Sequence, residues 1–312
     1  MHYATLHQVR LYIKSLTSET ADDELLTTFI RQMVRSIDTR SRRRFDIRQE
    51  TRLFDVPQVD VSREGITRAD QWVNMWSTVP AKNIRNLRLD EDLISVATLT
   101  NGDEVEVSSD DYVLLRENRY PKYAIRLTEA ASIRWEAASS GNTKQVISVE
   151  GLWGYHDRPD DAFVDTLDTV QDDPLTDSAT SLTVNDADGI AGDAVPTRFQ
   201  VGNMIRIEDE YLFVLEVDTD TNVLTVTRGY NGTTAAAHVQ DTQIDVYRPM
   251  DNIVLATIRG VVWRYRQKDV DVFDKTQILG TGAMIIPSNL PADVLELLPA
   301  PKPLQLSEND ID

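Results

Sequence analysis

The sequence of 312 residues contains no cysteine. Disulfides, thiolate metal sites and cysteine nucleophiles are therefore excluded. Histidine is also scarce, and no two copies have the spacing of a zinc-binding helix. No apolar run approaches the roughly 20 residues of a membrane span, and the first residues lack a signal-peptide pattern. These absences predict a protein folded in a reducing cytoplasm, without metal or membrane.

Negative charge is concentrated in one stretch of the chain. The net charge is −19, yet residues 1–64 contain eleven Lys and Arg against ten Asp and Glu. Residues 157–248 contain five against nineteen. Because general nucleic-acid binding needs a basic surface, the chain is not expected to bind DNA by phosphate neutralisation.

Helical spacing occurs near both ends of the chain. Thr5 is expected to cap a helix over residues 5–16, and Thr20 a longer one. The longer helix has an apolar stripe and ends in a basic cluster. Residues 251–268 form a third helical pattern, in which Gly260 predicts close packing because glycine costs roughly 1 kcal/mol relative to alanine. A short helix is predicted over residues 291–298.

Period-two patterns in the middle predict strands. One is expected at 51–56 and a β-meander over 84–135, with separate strands at Ile84–Leu89 and Leu93–Leu99. Asn101-Gly102 predicts a hairpin turn with positive φ. Residues 58–80, which include Trp72 and Trp76, favour a short helix over a loop. Further strands are predicted at 104–107, 112–116, 125–127, 132–137, 145–150, 181–184, 204–207, 211–217 and 223–227.

These patterns predict an α+β fold. An α-helical body, made of an N-terminal helical hairpin and a C-terminal helix, would comprise residues 1–164 and 249–300 and carry the β-meander at about 49–155. Residues 165–248 would form an inserted, acidic, small β-barrel or sandwich. Residues 301–312 are expected to be an exposed tail.

Several segments match, in order, the features of one family. Three acids and two leucines at 22–26 lead into a helix, which is followed by Arg42-Arg43-Arg44-Phe45 and a strand at Thr51–Phe54. The runs Leu89–Gly102 and Val149–Tyr155 follow. This order resembles head–tail connector (adaptor, neck) proteins of tailed bacteriophages. The run Val226–His238, with Glu208 and Glu210 upstream, is similar to a β-module of phage virions.

The resemblance implies a non-enzymatic structural subunit without a cofactor. Such adaptors form a ring, typically a dodecamer, beneath the portal, and they extend the channel through which double-stranded DNA passes. Its partners would be further copies of the chain, the portal protein and the next neck or tail-completion protein. It would be located in the virion neck, and in the host cytoplasm during assembly. Family members reach the portal with a C-terminal segment, here represented by Leu290, Val294, Leu297, Leu298 and Pro301.

Six residues are candidates for contacts between subunits. Arg40, Arg42, Arg43 and Arg44 suit carboxylates of a neighbouring subunit, the C-terminal cap of their own helix, or DNA in the channel. The other two candidates, Trp153 and Tyr155, are expected to be core or interface anchors.

Other chemistry finds weaker support in the sequence. Asp186, Asp188 and Asp193 suggest calcium, but the alternating oxygen ligands of an EF-hand loop are missing. Glu208, Asp209 and Glu210 are adjacent carboxylates that suggest a glycosidase, but the sequence predicts no cleft for a sugar between them. His238 has no partner pattern of a catalytic triad and is expected to be structural. The competing function is a virion-associated carbohydrate- or host-binding module, which would require exposed aromatic residues in the β insertion.

Overall fold

The computed structural model describes residues 1–13, 20–57, 85–195, 197–268, 276–277, 284–285 and 290–302. The helix or loop predicted at 58–80 and most of the predicted tail at 301–312 lie outside these residues. The chain divides into two compact units. The five-stranded unit is Arg48–Tyr155, and the six-stranded unit combines Met1–Ile47 with His156–Asp312.

The protein is mainly β, so the predicted α-helical body with a small inserted barrel is wrong. The described residues form antiparallel sheets of five and six strands, with four short helices. Helical periodicity is present at both ends, but each large sheet has its own apolar core. The error comes from treating the strands as additions to the helices, whereas the strands bury most of the apolar side chains.

The five-stranded unit is an antiparallel sheet in the order β1-β5-β2-β4-β3. Its core contains Phe54, Leu89, Ile125 and Trp153. The strands are β1 (Arg48–Phe54), β2 (Asn86–Thr100), β3 (Tyr112–Leu115), β4 (Lys122–Leu127) and β5 (Ile147–Trp153).

Several local predictions in this unit are wrong. The segments 104–107 and 132–137 do not form strands. The strands expected at Ile84–Leu89 and Leu93–Leu99 are one strand, β2, whose register with β4 shifts between Arg88 and Leu93. Asn101 and Gly102 do not have positive φ; Glu104 does. Glycine is needed at 102 for another reason, because an added Cβ would lie 2.1 Å from the Glu136 carbonyl oxygen.

The six-stranded sheet has the order β6-β11-β8-β9-β10-β7. Its two edges approach each other, because the Gln171 amide beyond β6 donates to the Thr183 carbonyl in β7 at 2.9 Å. One apolar core lies within it and includes Leu182, Leu212 and Ile244. The strands are β6 (Phe163–Thr169), β7 (Ser181–Thr183), β8 (Met204–Ile207), β9 (Glu210–Asp218), β10 (Val223–Thr227) and β11 (Gln243–Tyr247). A further short pair is β12 (Thr276–Gln277) with β13 (Met284–Ile285).

The helices of this unit are α1 (Leu6–Tyr12), α2 (Asp23–Ser41), α3 (Asp251–Gln267) and α4 (Ala292–Glu296). Thr5 caps α1 with a capping box, as predicted. The cap of α2 is Asp22 rather than Thr20. Its stripe (Leu26, Ile30, Met33 and Ile37) is fully buried.

Gly260 allows α2 and α3 to approach closely, as predicted. A Cβ on Gly260 would lie 2.6 Å from Met33 Sδ. We expect Gly260→Val to lower the free energy of unfolding by about 1–3 kcal/mol through overpacking. Urea unfolding measures this loss. The double variant Gly260→Val/Met33→Ala should be less destabilised than the sum of the two single variants, because Met33→Ala removes the side chain that the added valine would meet. Additive effects would contradict the contact.

Candidate functional site

The C-terminal end of α2 binds the last described residues of the chain. Arg42 ends the helix in a left-handed conformation, with φ 51°. The Ser41 carbonyl accepts a 2.9 Å hydrogen bond from the Lys302 amide. Arg42 Nη1 donates to the Lys302 carbonyl and Arg43 Nε to the Ala300 carbonyl, each at 3.3 Å. Residues 300–302, here called the C-terminal strap, are therefore fixed on this helix end.

The predicted arginine cluster thus divides into different roles. Arg42 and Arg43 hold the strap, a partner that the sequence did not indicate. Arg44 makes a two-pronged contact with Asp46, at 3.1 and 3.0 Å. Arg40 is exposed in the last turn of α2. Contacts of these arginines with a neighbouring subunit or with DNA remain predictions.

We expect replacement of both strap-holding arginines to loosen the strap without unfolding the protein. Each hydrogen bond from a charged donor contributes about 1.5–3 kcal/mol, and partial exposure of Arg42 and Arg43 places this pair at the low end. Hydrogen exchange of the Lys302 amide in Arg42→Met/Arg43→Met should accelerate roughly tenfold or more, since 1.4 kcal/mol is a factor of ten. Arg40→Met is the matched control. Equal exchange in both variants would show that the arginines do not hold the strap.

The candidate portal-contact residues differ in their accessibility. Val294 is completely buried and Leu290 is 3% exposed. Leu297 and Leu298 are half-buried, and Pro301 is exposed. A second group of contacts attaches α4 to α3: Asn252 Nδ2 donates to the Leu297 carbonyl at 2.9 Å, and Arg259 pairs with Asp293. Val294 of α4 therefore packs inside its own chain, and α4 is attached to α3.

Trp153 and Tyr155 also differ. Trp153 is completely buried in the five-stranded unit, and its Nε1 donates to the Glu50 carbonyl at 2.9 Å. Phe54 stacks on its ring at 6.1 Å between centroids. Tyr155 is half-buried. Of the two possibilities, core or interface anchor, Trp153 is therefore a core residue. For Tyr155, a contact between subunits remains a prediction.

A buried carboxylate organises the run that resembles the virion β-module. Glu210 is 1% exposed. It accepts hydrogen bonds from Arg228 Nε and Nη2, at 2.8 and 2.7 Å, and from the amides of Gly229 and Ala236. Burial alone would raise the pKa of Glu210, but these hydrogen bonds outweigh it and lower the pKa to about 2. Glu210 therefore holds the 228–238 segment against the sheet as a carboxylate.

His238 lies between two carboxylates, as a structural histidine would. Its Nδ1 is 2.7 Å from Glu208 and its Nε2 is 2.9 Å from Glu210. The two glutamates that suggested a glycosidase are thus both engaged with this buried ring.

The same part of the chain joins the sheet to the residues that follow α2. Asn231, with φ 51°, donates to Asp46 Oδ2 at 3.1 Å and to the Ile47 carbonyl at 3.0 Å. The Tyr247 hydroxyl donates to the Phe45 carbonyl at 2.7 Å. The Arg-Gly-Tyr-Asn-Gly run therefore serves both as a turn and as an attachment to the segment after α2.

Two aspartates near this attachment have different environments. The Tyr3 hydroxyl donates to Asp38 at 2.7 Å and accepts from the Phe45 amide at 3.0 Å. Burial raises the pKa of Asp38 to about 6, although Tyr3 and Arg44 oppose the shift. Asp46 is 1% exposed and is bound by Arg44. Repulsion between the two carboxylates contributes to the raised pKa of Asp38.

The loop considered for calcium is organised by an ion pair. Asp168 is buried and accepts from the amides of Asn185 and Asp186 at 2.9 Å. Arg198 Nη1 contacts Asp168 at 2.9 Å, and its Nη2 lies 3.6 Å from Asp186. The guanidinium thus supplies positive charge beside Asp186. Among the residues that the structure describes, no group of three His, Cys, Asp or Glu is arranged to hold a metal.

Comparison with known proteins finds neither a matching family model nor a matching curated protein. Within the described ranges, no helix is long and apolar enough to cross a membrane.

Proposed function

We propose that the chain is a non-enzymatic head–tail adaptor of a tailed bacteriophage. In this proposal, copies form a ring beneath the portal and extend the DNA channel in the virion neck. The motif order of residues 22–54, 89–102 and 149–155 supports it, as does the 226–238 run. The sharpest structural support is the strap, because it fixes the point from which the chain continues beyond Lys302.

A fixed strap suits a segment that reaches a partner. Ordering a free chain costs about 1–2 kcal/mol per residue in backbone entropy. Because residues 300–302 are already held on α2, their ordering adds nothing to the entropic cost of binding a partner. In the sequence, residues 303–312 contain three acids and no Lys or Arg. They are the part of the chain that we assign to the portal contact, together with exposed Pro301.

The acidic stretch of residues 157–248 suits a position near passing DNA. Like charges repel, so an acidic surface disfavours adhesion of the phosphate backbone. The attachment through Asn231 and Tyr247 keeps this surface in a fixed position relative to the helices of the same unit.

The alternative, a host- or carbohydrate-binding module, would need exposed aromatic rings on the β residues. Phe199 is 2% and Tyr211 5% exposed. Phe213 and Tyr230 are half-buried and stack on each other at 5.1 Å. Their placement counts against this alternative.

Binding to the portal protein of the same phage tests the proposal. Mass photometry of the full chain with portal rings should show bound subunits, and deletion of residues 303–312 should weaken binding at least tenfold. Arg42→Met/Arg43→Met should weaken it less, because the tail remains but its starting point is loose. Arg40→Met is the control. A wild-type chain that does not bind portal contradicts the proposal.

A further inference from the structure

Residues 157–248, which contain the six-stranded sheet, present an almost purely acidic surface. Of the five arginines within 157–248, four pair with carboxylates of the same stretch. The pairs are Arg198–Asp168, Arg206–Asp245, Arg228–Glu210 and Arg248–Asp193. Since these pairs neutralise the basic side chains internally, the remaining carboxylates dominate what a partner meets.

One part of this surface is a shallow groove beside the β9–β10 hairpin. Glu216 and Asp218 supply carboxylates, and Val201, Val217 and Val223 supply apolar walls. Val201 is 43% exposed. Such a combination suits arginine, because its aliphatic stem packs on apolar side chains while its guanidinium pairs with carboxylates.

The complementary surface lies on α2 of the same chain. Arg31 and Arg35 are exposed and one helical turn apart, so they face the same way. In the part of the chain that the structure describes, neither forms an ion pair, and no ion pair joins this stripe to Glu216 or Asp218. The two surfaces therefore do not satisfy each other within one copy.

We propose that the Arg31–Arg35 stripe of one copy docks in the Glu216–Asp218 groove of a second copy. The inference rests on the proposed adaptor ring and identifies its contact. Because the two surfaces differ, the contact is head-to-tail, which is the type that generates closed rings. Electrostatic complementarity also sets the orientation of the neighbours and makes assembly depend on salt.

Charge reversal on either surface tests the contact. Mass photometry and sedimentation velocity of the full chain should show oligomers for wild type, and dissociation in high salt. Arg31→Glu/Arg35→Glu and Glu216→Lys/Asp218→Lys should each shift the chain to monomers, with at least a tenfold weaker association. Asp218 Oδ1 also accepts hydrogen bonds from the Asp220 and Thr221 amides in the β9–β10 turn. Because all four side chains are exposed, circular dichroism should still show a folded chain. Arg88→Glu/Arg119→Glu, which makes the same change in net charge on exposed positions elsewhere, is the control for the arginine variant.

Mixing supplies the decisive observation. The two reversed variants have mutually complementary surfaces, so a one-to-one mixture should assemble although neither variant does alone. The variant with all four changes should also assemble. Oligomers that survive both reversals, or a mixture that stays monomeric, overturn the contact while portal binding still supports the adaptor. A wild-type chain that is monomeric at all concentrations overturns it too, and portal binding then decides the proposed function separately.

Discussion

Replacing Glu210 with glutamine is expected to lower the free energy of unfolding by about 3–5 kcal/mol, because removing one partner leaves the other charge buried. Arg228, whose side chain is 6% exposed, would lose its only carboxylate among the described contacts. The amides of Gly229 and Ala236 would compete for a weaker acceptor. Urea unfolding followed by circular dichroism measures the loss.

The pH dependence gives an independent check. A carboxylate with a depressed pKa in the folded state stabilises the protein above its unfolded pKa and loses that contribution as pH falls. For Glu210 the interval runs from the ordinary value of 4.5 down to about 2. This shift corresponds to roughly 3 kcal/mol, in line with the mutational expectation. Wild type should therefore lose stability across this range, and Glu210→Gln should lose less.

Glu216→Gln is the matched control, because Glu216 lies on the same strand and is exposed. It should change stability by no more than about 0.5 kcal/mol. If both variants unfold at the same urea concentration, Glu210 does not organise the segment.

The helices show what a sequence pattern can predict. The buried stripe of α2, the N-cap at Thr5 and the packing at Gly260 follow from local periodicity and side-chain chemistry. These features depend on residues three or four positions apart. The balance between helix and sheet cannot be predicted from such short spacings, because it depends on how many apolar side chains each element buries in three dimensions.

The strands show where local patterns fail. Asp90, Glu91 and Asp92 have the composition of a turn, yet β2 continues through them with an irregular register. The Asp92 carbonyl accepts from the Gly154 amide at 2.8 Å, a contact 62 positions away in sequence. Residues 163–169 and 243–247 were not predicted as strands, although they pair with each other in the six-stranded sheet.

The candidate sites divide in the same way. The density of arginines at 40–44 marks this helix end as unusual, but the strap lies more than 250 residues further along the chain. Sequence alone offered a neighbour, a cap or DNA as partners. Arg228 lies in the run that resembles a virion module and Glu210 lies upstream of it, so the resemblance is the available signal for their ion pair.

Trp153→Ala is expected to destabilise the five-stranded unit by about 3–5 kcal/mol, the usual effect of truncating a buried tryptophan. The ring is completely buried, and Phe54 packs against it. Trp153→Phe should cost less, since it keeps an aromatic ring but loses the donor to the Glu50 carbonyl. Urea unfolding should rank wild type, Trp153→Phe and Trp153→Ala in that order.

The half-buried Tyr155 provides the comparison that separates core from interface. Trp153→Ala acts through folding, so its association at low temperature, where the chain stays folded, should match wild type. Tyr155→Ala should be milder in stability, and a specific loss of association there would place Tyr155 at a contact between subunits. Loss of association by Trp153→Ala with an unchanged urea midpoint would contradict this expectation. The Trp153 side chain would then contribute to a contact between subunits and not to the stability of the five-stranded unit.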